Sequence, residues 1–297
     1  MLQERAETSA TWRGSPRLEQ LRIGAWAGWI VVVTLAFIQP LTRLMLYAAR
    51  SELLSYIPLV PLVAGYLILI HRRSPLAYAT SFRGTLLMGG IGLTALGAAI
   101  GLHGTASVND DLALATLGYL SFVTAGGFLF LGSKWMFAAA FPTGFLIFMV
   151  PLPDAVVNWL ETASVLASAD VAATFFNLTR TPLLRDGAVF RLPGIVIRVA
   201  QECSGIHSSW VLFITSLLAS HLFLRSPWRR IILVAFVVPL AIVRNAFRIL
   251  VIGLLCVHIG PRMIDSFIHD RGGPIFFVLS LFPLFLLVSW LRRQEER

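Results

Sequence analysis

Charge is scarce in this chain. Of 297 residues only 13% are charged, about half the share of an ordinary soluble protein. The charges that exist sit in short clusters between long apolar blocks, so a soluble globular domain is excluded. Cysteine is scarcer still, with only Cys203 and Cys256 present. No internal repeat, low-complexity linker or soluble domain interrupts the sequence. The cysteines and histidines show no tight ligand spacing of the kind a metal site uses, and no cofactor is expected. The net charge of +9 does not signal nucleic acid, because no basic stripe with interleaved aromatics appears. The basic residues instead flank apolar blocks, as cytoplasmic loops do.

What is present is hydrophobic sequence, 57% of the chain with a mean hydropathy of +0.79. Apolar runs of roughly 18 residues or more are candidate membrane spans. About eight are expected, at 22–40, 53–70, 84–102, 112–131, 134–151, 205–224, 231–257 and 274–291. The expected fold is an all-α polytopic transmembrane protein forming one integral-membrane domain over 1–297. Residues 1–21 are a polar cytoplasmic segment, not a cleavable signal peptide. The loops with Arg72, Arg73 and Arg83, and with Arg225, Arg229 and Arg230, are basic. So is the tail at Arg292 and Arg293, whereas the loop around Asp110 and Asp111 has no Lys or Arg. This pattern places both termini in the cytoplasm.

Residues 155–178 are long enough to cross but carry Asn158, Glu161, Asp170 and Asn177. They are expected to form an amphipathic helix on the outer surface or a re-entrant one. The runs AVFRL and IVIRVA follow, separated by Pro193-Gly194, and predict a small β-hairpin. It leads directly into QECSGIHSSW at 201–210.

On this topology Cys203 stands at the outer N-terminal end of a span. The positive end of the helix dipole favours a thiolate there, while Glu202 opposes it. VPLAIVRNAFRILVIG places Arg244, Asn245 and Arg248 within the span 231–257. Each arginine at the centre of a membrane helix costs about 2.5–3.5 kcal/mol on insertion scales, so two of them call for a use. At ~1.5 Å per residue Arg248 lies about 26 Å along the helix from Ile231, in the outer third of the bilayer. A third group comes from the last outer loop, where His269 precedes Asp270 and Arg271. Histidine titrates near neutrality and suits proton transfer. A thiol, a guanidinium and an imidazole at one depth fit acyl transfer through a thioester. His207, one turn after Cys203, is a rival base, and Glu202 and Asp270 are candidates for orienting the site. Cys256 reads as a packing residue.

The stretches FLIFMVPLP (145–153), VAQECSGIHSS (199–209), NAFRI (245–249) and HDRGGPIFF (269–277) together resemble the exosortase/archaeosortase family of membrane-embedded cysteine transpeptidases. The resemblance covers 142–280, read as the catalytic core. It implies Cys203 as nucleophile, Arg248 as the essential cation and His269 as the acid/base, with Arg244, Asn245, His207, Glu202 and Asp270 in support. It also implies substrates: exported proteins with a C-terminal sorting signal made of a short motif, a hydrophobic helix and a basic cluster. Cleavage would pass the protein to an acceptor nucleophile of unknown identity. The implied setting is the bacterial cytoplasmic membrane, with surrounding lipid and an outward-facing active site. Two departures stand out: many members carry arginine where this chain has His207, and Arg244 is an additional arginine directly before Asn245. The competing reading is an anion transporter or channel that uses the intramembrane arginines. Its expectation of charge in several spans is not met, since the intramembrane charge here is concentrated in one.

Overall fold

The computed structural model describes residues 16–51, 53–71, 79–199, 205–260, 262–263 and 273–296. Among them are eleven α-helices and one small sheet. The chain divides into two compact units, Met1–Asp154 and Ala155–Arg297.

The first unit contains α1 (Pro16–Ala36), α2 (Ile38–Arg50), α3 (Leu59–His71), α4 (Phe82–Gly101), α5 (Val108–Phe130), α6 (Ser133–Ala138) and α7 (Ala140–Phe145). A 3₁₀ turn, Leu146–Met149, follows α7. With lipid on both sides, apolar burial does little to drive helices together, and close packing at small residues takes over. Gly126 is such a residue: a Cβ there would collide with the Trp29 ring. Trp29 lies against α5 and donates its Nε1–H to the Phe122 carbonyl at 2.9 Å. Ser107 caps α5 by accepting the Asp110 N–H at 3.1 Å, and Asp110 and Asp111 occupy the first turn, where the dipole favours acids. The same turn secures the end of the VPLP stretch. Asn109 Nδ2 donates to Asp154 Oδ1 at 2.9 Å, and Asp110 Oδ1 accepts the Asp154 N–H at 3.0 Å.

The second unit contains α8 (Asp154–Leu178, which begins at the boundary), strands β1 (Leu184–Asp186), β2 (Val189–Leu192) and β3 (Ile195–Arg198), then α9 (Ile206–Phe223), α10 (Pro227–His258) and α11 (Gly273–Glu296). The sheet is antiparallel in the order β1-β2-β3. Pro193 and Gly194 make its second turn, with Gly194 at φ +78° supplying the left-handed residue that a Pro-Gly turn requires. The inward face of the sheet, Phe190, Leu192 and Ile197, joins Val165, Ala169, Ala172 and Phe176 of α8 and Ala246, Ile249 and Leu250 of α10 in one core. Gly253 of α10 makes this seat possible, because a Cβ there would lie 2.5 Å from the Phe176 ring and 3.2 Å from Leu192. An ion pair from Arg185 to Asp170 at 2.6 Å ties β1 to α8. A second core, with Leu212 of α9, Leu233 and Val237 of α10 and Leu284 and Val288 of α11, holds the three long helices together.

The all-α polytopic architecture is as the sequence predicts, with two corrections of detail. Among the described residues five helices are long and apolar enough to cross a membrane, or up to seven if each broken pair counts as one span, against the expected count of about eight. The first predicted span breaks at Phe37, where α1 and α2 meet at 73°. The second is only the thirteen-residue α3, about 20 Å long at ~1.5 Å per residue and short of a ~30 Å hydrocarbon core. The span expected at 134–151 is α6, α7 and the 3₁₀ turn, divided at Ala139 and ended at Met149 before Pro151. The second correction concerns the hairpin, which is a three-stranded sheet: β1 pairs Asp186 with Val189 across Gly187 at φ +58°. Helix 154–178 is present as one continuous element.

Candidate active site

The site is built where α9 begins against the middle of α10. Gly205 is the N-cap of α9, with φ +67° and ψ 15°, a left-handed conformation in which glycine carries no Cβ penalty. Space imposes the same choice. A Cβ at 205 would lie 3.3 Å from both Arg244 Nη2 and Asn245 Oδ1. The tips of two successive α10 side chains therefore converge on one glycine.

The carbonyl of Gly205 is the hub. Arg244 Nη2 donates to it at 3.1 Å and to Ser209 Oγ at 2.9 Å. Ser209 donates its own hydroxyl to the same carbonyl at 2.8 Å, as does Ser208 at 3.1 Å. Arg244 is 7% exposed and Asn245 2%. A guanidinium is never discharged in such a place, so its donors must find acceptors. Nη2 does. Arg244 Nη1 and Asn245 Nδ2 are buried without a hydrogen-bond partner among the described residues, and so is His207 Nδ1. An unsatisfied buried donor costs about 1–3 kcal/mol, more when charged. Among the described residues Arg244 Nη1, Asn245 Nδ2 and His207 Nδ1 carry such a cost, which an acceptor would relieve.

Arg248 lies four residues beyond Arg244 and is half-buried. At i and i+4 the two arginines share one helix face. His207 occupies the first turn of α9. The structure thus brings Arg244 and Asn245 together with Gly205 and sets Arg248 one turn away. Cys203, Glu202, His269 and Asp270 lie outside the described residues. Cys203 is nonetheless two residues from Gly205 along the chain. No group of three His, Cys, Asp or Glu side chains converges to hold a metal ion among the described residues.

The sequence reading overlooked Ser209, which accepts from Arg244 while bonding to Gly205. Its signal was visible: a serine pair three and four residues after a glycine can turn back onto that glycine's carbonyl in the first helical turn. Arg244, an addition to the NAFR pattern, makes two bonds from α10 to the start of α9.

Long apolar helices, a small sheet packed on two of them and a buried guanidinium and amide facing a helix start define a polytopic membrane protein with a buried polar cluster between two of its candidate spanning helices. A family model described as Transmembrane exosortase matches residues 48–286, well over half of the chain, and the protein belongs to that family. No curated protein and no solved structure matches the chain.

Proposed function

We propose that this exosortase-family protein is a cysteine-dependent transpeptidase or protease that removes the C-terminal sorting signal of exported proteins through a thioester on Cys203. The observation that carries this reading is the clamp on Gly205. It holds the chain two residues after the cysteine against a buried cation, at the positive end of an eighteen-residue helix. That end favours a thiolate.

In the proposed reaction the Cys203 thiolate attacks the scissile carbonyl and forms a C–S bond. Arg248 supplies the nearby positive charge that keeps the thiol ionised. His269 protonates the departing amine as the C–N bond breaks, and an acceptor nucleophile or water resolves the thioester. Arg244 positions the start of α9. The substrate's hydrophobic helix enters laterally from lipid, with its short motif at the outer boundary and its basic cluster on the cytoplasmic side. The topology that serves this reaction has both termini in the cytoplasm, α8 along the outer surface of a bacterial cytoplasmic membrane, and the site facing outward.

The test is co-expression with exported proteins carrying such C-terminal signals, at matched membrane levels. Wild type shortens the substrate; Cys203→Ser abolishes processing, and Arg248→Ala and His269→Ala lower it. Normal processing by Cys203→Ser rejects the thiol mechanism.

A further inference from the structure

We infer that a cavity in the first unit, between α2 and the connection from α4 to α5, holds the headgroup of an anionic phospholipid. The inference is independent of the thiol chemistry proposed above. The cavity measures about 460 Å³, within the range of small-molecule sites.

After its 73° break from α1, α2 buries Leu44 and Ala48 and leaves Arg43, Leu46, Tyr47 and Arg50 exposed. Positions i, i+3, i+4 and i+7 fall on one helix face, and all four residues line the cavity. Neither arginine makes an ion pair among the described residues. Asp111 is the one carboxylate among the lining residues, and it stands 3.4 Å from His103 Nδ1. Two guanidinium groups against one carboxylate that already faces an imidazole leave the cavity positive, and guanidinium matches the oxygens of a phosphate. Ser107, the cap of α5, also lines the cavity, so the start of that helix adds partial positive charge.

Position decides which anion fits. Both α4 and α5 are candidate spans, and the cavity lies against the segment that joins their ends. That is a membrane boundary, the level of phospholipid headgroups. Leu46, Val108 and Leu112 give the same cavity an apolar wall, and Tyr47 is of the amphipathic type that settles at that level. A free anion would engage the arginines and leave the apolar wall wet. A phospholipid meets both, with its phosphate on Arg43 and Arg50 and the upper part of its acyl chains on the leucines and valine.

The test uses the delipidated full chain in a non-ionic detergent, with bound lipid counted by native mass spectrometry. Phosphatidylglycerol and phosphatidylcholine with the same acyl chains are titrated into wild type, Arg43→Gln, Arg50→Gln, the double variant and Arg83→Gln. Arg83 is an exposed arginine in the first turn of α4, at the far end of that helix from the cavity. Wild type should bind its first phosphatidylglycerol more tightly than phosphatidylcholine. Each single cavity variant should weaken phosphatidylglycerol binding by about fivefold, and the double variant by about twenty-five-fold. Phosphatidylcholine binding should stay at the wild-type level, which shows that the fold survives. Arg83→Gln should bind as wild type does, and inorganic phosphate at the lipid concentration should displace nothing. Equal affinity of wild type for the two lipids overturns the inference, and so does wild-type phosphatidylglycerol binding by the double variant. A fall shared by both lipids, or one as large in Arg83→Gln, overturns it too, since neither belongs to a headgroup site at these arginines. Displacement by inorganic phosphate overturns the lipid in favour of a free anion.

Discussion

The α9–α10 pair carries an arginine-rich polar knot at each end, and the two knots are satisfied differently. At the α9–α10 turn, Glu295 of α11 accepts the backbone N–H groups of Arg225 and Ser226 at 2.9 and 2.8 Å. Arg229 Nη1 stands 3.6 Å from the same carboxylate, and its Nη2 donates to the Gln294 carbonyl at 2.9 Å. Arg230 donates Nε to the Leu224 carbonyl at 2.9 Å. Cation meets anion, and the N–H groups of the two residues just before α10 have a carboxylate acceptor. At the other knot Arg244 meets no carboxylate among the described residues, and buried donors remain over. A closed set of bonds does structural work. The set at Gly205 joins two helices through a buried cation and a backbone carbonyl, with no anion among the described residues.

The difference can be broken first through the core beneath the open knot. Gly253→Val would push Phe176 and Leu192 off α10, an overpacking worth about 1–3 kcal/mol. Thermal melting of the purified protein should show a clear fall, with processing lost as the sheet leaves its seat. An unchanged melting temperature would mean that the sheet is not held by this contact.

Gly205→Ala acts at the open knot itself. A left-handed residue with a Cβ costs about 1–2 kcal/mol, and the added methyl crowds Arg244 and Asn245. The prediction is a moderate loss of stability with a much larger loss of processing, measured on the same preparation. Equal, small losses in both would reduce Gly205 to an ordinary cap.

Glu295→Gln tests the closed knot and should have the smallest effect. The N–H groups of Arg225 and Ser226, and then Arg229, hold the Glu295 carboxyl below the usual carboxylate range. Its contribution is therefore complete above the usual value of about 4.3 and is lost as pH falls through the depressed one. Wild type should lose melting temperature on acidification below that range. Glu295→Gln should start slightly lower near neutrality and depend less on pH, with processing near wild type. A pH profile identical to wild type would show that the carboxylate does not stabilise the turn.

The long candidate spans among the described residues were legible because an unbroken apolar run of helix length has few other fates. The broken ones were not, since hydropathy counts residues and not turns: Phe37 and Ala139 interrupt helices without lowering the average. β1 could have been read, as the Asp186-Gly187 pair before Val189 is a strong hairpin signal. Ser209 was harder, because its value depends on what faces it.

By itself the sequence determined that this chain lives in a membrane, that α10 carries two arginines and an asparagine that need an explanation, and that CSG lies at the start of a span. Composition and periodicity suffice for that, because lipid sorts residues by polarity alone. Only the tertiary structure decided that Arg244 reaches Gly205 across thirty-nine positions of chain, that Asn245 ends at the same glycine, and that one nitrogen of each is left without an acceptor among the described residues. Hydrogen-bond saturation is a property of neighbours in space, and it appears only once two helices have been packed face to face.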